Sequence, residues 1–191
     1  MRTHTSPAND DGGRPAWKGA SPNGFLALLT PEPEIGGALR LLLDALRNEM
    51  TPRMLEIIAL RTSAKLNCSY AWRGHVFISL DAVLTMREIA CIAADGGAFA
   101  GREAATLRAV DELLRDERLS DVTRRELGPD GSRVTIATSA YQLVSRLASG
   151  MAPEPGIPVD ARLASPLRAR VTYAALTRNG DDDSADGPAA A

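Results

Sequence analysis

The chain has 191 residues, 45% hydrophobic and 24% charged, with a formal net charge of −2. That is the make-up of one globular domain, and it lacks the basic stripe that nucleic-acid binding needs. No apolar run reaches the ~18 residues that span a bilayer and no secretion signal opens the chain, so the cytoplasm is the expected location, with both cysteines kept as thiols.

Residues 1–24, rich in Gly, Pro, Asp, Asn and Ser, read as a disordered tail. Aromatics make up only 4%, so Ala, Leu, Ile and Val must build the core, a composition that favours helix. From Ala38 to Asn48, Leu39, Leu42, Leu43 and Leu46 form an amphipathic stripe, with Arg40, Asp44 and Arg47 on the solvated side. Thr51-Pro52 then marks a new start, Thr as N-cap and Pro at the first helical position. The second helix is expected over Pro52 to Leu66 and the third over Cys68 to Ala82. Thr85 and Glu88 make a capping box for a fourth, which ends near Gly96-Gly97.

A fifth helix spans Arg102 to Asp116, with Leu107, Val110, Leu113 and Leu114 inward; a shorter one follows Ser120 and ends at Gly128. Arg133 to Ala148 gives another, with Ile136, Tyr141, Leu143, Val144 and Leu147 as its apolar positions. Met151 to Pro158 is a Pro/Gly-rich connector, and Pro166 to Thr177 is either one more helix or frayed chain. No stretch alternates with period two for long enough to make a strand. The expected fold is all-α, a single-domain helical bundle over residues 25–160. A C-terminal extension over 161–178 and a disordered acidic tail over 179–191 follow it.

Chemistry concentrates between Leu55 and His75, where Glu56, Cys68, Tyr70, Trp72 and His75 share two helices. Glu56 is flanked by apolar residues, and an unpaired buried charge is too costly, so burial demands a partner. Arg53, Arg61 and His75 across the hairpin are the candidates. A Glu56–His75 pair would orient the imidazole and raise its basicity. Asn67 suits a cap position, which puts the Cys68 thiol at the positive start of the third helix, where a thiolate is favoured. Against this, most free cysteines are small buried hydrophobes, as Cys91 in its apolar run is expected to be. His75 lies seven residues beyond Cys68, on the same face but ~10 Å along the axis, too far for a direct hydrogen bond. Tyr70 and Trp72 are either core or the walls of a pocket. One histidine and one well-placed cysteine cannot complete a zinc site, and neither Gly-x-Gly-x-x-Gly nor a P-loop occurs. Neither metal nor cofactor is expected.

Glu56, Asn67-Cys68-Ser69-Tyr70-Ala71-Trp72, His75 and Leu84-Thr85-Met86-Arg87-Glu88-Ile89 resemble the core of the carboxymuconolactone decarboxylase family, which includes alkylhydroperoxidase D. Glu103-Ala104-Ala105, Leu107 to Leu113 and Leu119-Ser120-Asp121 resemble its single-cysteine branch. The resemblance implies an alkylhydroperoxidase D-like helical fold assembled into trimers or hexamers, with active sites near subunit contacts. It also implies catalytic roles for Glu56, Cys68 and His75. The family's alkylhydroperoxidase members cycle a Cys-x-x-Cys pair, and here Ala71 stands where the second cysteine belongs, so disulfide exchange within the motif is impossible.

Three functions follow as expectations. The first is a one-cysteine, peroxidase-like oxidoreductase, in which Cys68 attacks a peroxide, Glu56 and His75 relay the proton and an external thiol restores the cysteine. In the second, a cofactor-free lyase or isomerase acts on a small organic acid or ketone, with His75 as base, Glu56 its orienter, and Arg53 or Arg61 holding a carboxylate. The third is a non-catalytic oligomeric binding protein.

Overall fold

The computed structural model describes residues 29, 31–82, 84–95, 97–151 and 159–182. Within them the chain forms helices α1 (Pro33–Glu49), α2 (Pro52–Lys65), α3 (Ser69–Ala82), α4 (Met86–Ala93), α5 (Gly101–Asp116), α6 (Asp121–Leu127), α7 (Gly131–Met151) and α8 (Pro166–Asp182). Short 3₁₀ turns at Gly128–Asp130 and Ala161–Leu163 join the last three, and the described residues contain no strand. The architecture is all-α. No described helix is long and apolar enough to cross a membrane.

Helix starts follow the capping residues. Thr51 Oγ1 accepts from the Met54 N–H at 3.3 Å and Ser120 Oγ from the Thr123 N–H at 3.2 Å. Thr85 and Glu88 complete a reciprocal capping box, the Glu88 carboxylate accepting from the Thr85 N–H at 2.7 Å and Thr85 Oγ1 from the Glu88 N–H at 3.3 Å. Boundaries differ from the sequence pattern mainly at the ends. α1 begins at Pro33, ahead of the leucine stripe, because proline suits a first helical turn. α8 continues to Asp182, beyond the expected end of the extension. The tail over 1–24, most of the 151–158 connector and residues 183–191 lie outside the described residues.

The turn between α2 and α3 sets the site. Asn67 sits at φ +52°, the left-handed conformation that asparagine tolerates. The Asn67 N–H donates to the Ala64 carbonyl at 3.3 Å and the Cys68 N–H to the Ser63 carbonyl at 2.9 Å, the paired bonds of a Schellman ending. Already at Cys68 the next helix starts, since its carbonyl accepts from the Trp72 N–H at 2.9 Å. Asn67 therefore ends α2 rather than capping α3, and Cys68 itself takes the N-cap place. This short joint folds α3 back along α2.

α2 is the centre of the molecule, every residue from Leu55 to Ala64 being buried. Two hydrophobic clusters share it. One joins Leu39, Leu43 and Leu46 of α1 to Ile58, Ala59, Cys68, Ala105, Ala109, Tyr141 and Val144. The other gathers Ile57, Leu60, Trp72 and Val76 against α4 and is closed by Leu163 and Ala169. The C-terminal extension is thus part of the core. Trp72 Nε1 donates to the Leu163 carbonyl at 2.8 Å, Arg73 Nε to Ala164 at 3.1 Å, and Arg170 Nε to Ala93 at 2.7 Å.

Candidate functional site

Glu56 projects from the middle of α2, 9% exposed. Its Oε2 faces His75 Nδ1 at 3.0 Å and accepts from Ser79 Oγ at 2.9 Å. His75 and Ser79 are four residues apart on α3, hence on one face of it. An ionised carboxylate only accepts, so against the Glu56 carboxylate His75 Nδ1 carries the proton and Nε2 keeps its lone pair. Neither His75 Nε2 nor Glu56 Oε1 has a hydrogen-bond partner among the described residues. The imidazole is held from another side by Tyr141 of α7, whose ring stands edge-to-face with it, centroids 5.2 Å apart and planes at 88°. Burial, and next the charge of Glu56, push the Tyr141 phenol above its ordinary pKa, so it stays neutral. An oriented base with an open lone pair, beside a buried carboxylate, is equipped for proton transfer.

The other candidates lie elsewhere. Cys68 is 2% exposed and belongs to the hydrophobic cluster with Ala59, Ala71 and Tyr141. Cys91 is buried in the second cluster, where Sγ accepts from the Ala98 N–H at 3.2 Å and Tyr173 packs against the same cluster. Both cysteines are free. Tyr70 is partly buried against the first cluster, and burial raises its pKa. Trp72, fully buried with its indole N–H bonded to Leu163, is core rather than pocket wall.

Both arginines are committed to carboxylates of neighbouring helices. Arg61, 2% exposed, grips Asp111 of α5 through Nε (2.8 Å) and Nη2 (2.6 Å), while Nη1 donates to the Ile92 and Ala94 carbonyls at 2.6 and 2.8 Å. Arg53 bridges Glu103 (2.7 and 3.1 Å) and Glu88 (2.5 Å), and these hydrogen bonds, Glu103 first, raise its pKa. Neither guanidinium reaches the Glu56 pair; the two arginines tie α2 to α4 and α5. Among the described residues no three His, Cys, Asp or Glu side chains group as a metal would require.

Two site residues escape the sequence pattern. Ser79 carries a signal, its i+4 spacing from His75, whereas Tyr141 reads only as one more apolar position of α7.

Residues 33–112, which carry Glu56, Cys68 and His75, match the family model for carboxymuconolactone decarboxylase. The chain is also similar to the crystal structure of a protein of unknown function from Agrobacterium tumefaciens, put forward as the antioxidant defence protein AhpD. The two share 22% identity and a TM-score of 0.55, over 77% of this chain and 99% of the other. At that identity the likeness establishes the fold. No curated protein matches the chain. Tyr141 and α8 lie beyond the segment that the family model covers.

Proposed function

We propose that this chain is a cofactor-free acid–base enzyme, a lyase or isomerase, acting on a small organic acid or ketone. His75 Nε2 is the base and Glu56 its orienter. The observation that carries this reading is the buried Glu56–His75 contact at 3.0 Å, which leaves Nε2 as the open nitrogen. Ser79 helps by holding the same carboxylate oxygen, so that Glu56 cannot swing away from the ring. The family match supports an enzyme of this general kind. Exposed Ile35 and Leu42 on α1, with Ile136 and Leu143 on α7, supply apolar surface for a homo-oligomer, and the cytoplasm remains the proposed location.

A second reading, the one-cysteine thiol peroxidase, is favoured by the place of Cys68 at the N-cap of α3, where partial positive charge stabilises a thiolate. Its burial at 2% exposure and the alanine at position 71 count against it. Three variants separate the two. Acid–base chemistry predicts that turnover of small ketones and organic acids survives Cys68→Ala and is lost in His75→Ala and Glu56→Gln. Peroxide consumption with an added thiol, lost in Cys68→Ala, would overturn the acid–base reading.

A further inference from the structure

We propose that Tyr141 is the hydrogen-bond donor to the substrate's carbonyl oxygen, paired with His75 as base, and that the substrate is accordingly an enolisable carbonyl compound. This deepens the acid–base reading above and rests on it. A buried phenol ordinarily finds a hydrogen-bond partner. Tyr141 is 8% exposed, yet its hydroxyl bonds to none of the described residues. Among their buried side-chain nitrogens and oxygens, only Thr62 Oγ1 is both sealed from solvent and unbonded. The Tyr141 hydroxyl therefore keeps an opening, as do His75 Nε2 and Glu56 Oε1. Three side chains that meet at one imidazole, Glu56 of α2, His75 of α3 and Tyr141 of α7, thus each carry a polar atom with no bond among the described residues.

Their division of labour follows from charge. The phenol, kept neutral by burial and by Glu56, donates without competing for the proton. Arg53 and Arg61, the cations of α2 suited in charge to an oxyanion, are engaged instead with Glu88, Glu103 and Asp111. In the step itself, His75 Nε2 takes the proton from the carbon beside the carbonyl. The C–H pair becomes the carbon–carbon double bond of an enolate, and the carbonyl π pair moves onto oxygen, where Tyr141 donates to it. Returning the proton from Nε2 to carbon reverses the step, and no oxidant or reductant enters.

Exchange of carbon-bound hydrogen for deuterium reads this step without the natural substrate. Proton NMR in deuterated buffer would follow it for cyclohexanone, acetoacetate, levulinate and pyruvate. We expect the wild-type chain to accelerate exchange of at least one of them and His75→Ala to abolish it. Tyr141→Phe, which keeps the ring, should slow exchange about 10²–10³-fold, the usual effect of removing one oxyanion donor. Nitrogen-15 NMR of His75 in the same variant should still find the proton on Nδ1, which separates loss of the donor from displacement of the imidazole. Wild-type exchange in Tyr141→Phe beside an inactive His75→Ala overturns the assignment of Tyr141 and leaves the acid–base reading standing; a shifted His75 tautomer also overturns it. Exchange that is absent in the wild type, or unchanged in His75→Ala, overturns both.

Discussion

Glu56 and Arg61 are two charges five residues apart on one buried helix, and their surroundings differ. Arg61 donates four hydrogen bonds, two to a carboxylate and two to the carbonyls at the end of α4. Among the described residues Glu56 receives both of its bonds on one oxygen and leaves the other without a donor. The first arrangement spans three helices with matched geometry, as a buried charge in a structural role requires. The second keeps bonding capacity in reserve beside an imidazole whose own outer nitrogen is unbonded among the described residues. Burial alone does not separate scaffold from site here. Saturation does.

Arg61→Ala leaves Asp111 with Lys65, at 3.2 Å, as its one ion-pair partner among the described residues, and takes the Arg61 donor from two carbonyls. It should destabilise the fold by about 3–5 kcal/mol in chemical denaturation; a loss under about 1 kcal/mol would remove the structural half of the contrast. His75→Ala tests the other half, with an expected fall of about 10²–10⁴-fold in turnover from loss of the general base and a smaller change in stability. A variant that unfolds yet keeps its rate when refolded would invert the assignment.

Glu112 sharpens the picture as a saturated carboxylate. It accepts from the Ser120 N–H (2.8 Å), Ser120 Oγ (2.9 Å) and Thr123 Oγ1 (2.8 Å). Desolvation opposes its ionisation, but these bonds prevail and hold its pKa below the ordinary value. A depressed carboxylate pKa stabilises the fold above the unfolded-state value, and that contribution is lost as pH falls through the folded one. Glu112→Gln should cost about 1–3 kcal/mol at neutral pH, and its gap from wild type should close in acid. A gap that widens in acid contradicts the assignment. The smallest effect is expected for Cys68→Ala, about 1 kcal/mol for a small buried side chain, with no change in acid–base turnover.

Local signals in the sequence carry most of the fold. Thr51, Thr85 and Ser120 each cap the helix that their spacing announces, because capping involves only neighbours in the chain. The Glu56–His75 contact is legible for a related reason: a glutamate among apolar residues must find a partner, and a short hairpin offers few. Asn67 reads from sequence as a helix start, but asparagine also suits a left-handed ending, and the bonds back to Ser63 and Ala64 make it the end of α2. Arg61 reads from sequence as a clamp for a substrate carboxylate because Asp111 is fifty residues away. Tyr141 is hidden more deeply, since only the packing of α7 on α3 turns an apolar-stripe residue into a neighbour of the imidazole.

The Trp72–Leu163 hydrogen bond joins positions 91 residues apart. A chain leaving the ribosome makes α2, α3 and α4 long before residue 163 exists, so the second cluster stays open on one side until Leu163 and Ala169 have been made. Contacts of such long sequence separation are late and slow to form. The indole of Trp72 is consequently a built-in clock for the final step of folding. Its emission should change last, when the C-terminal helix docks, after the helical signal of the rest of the chain has reached its plateau.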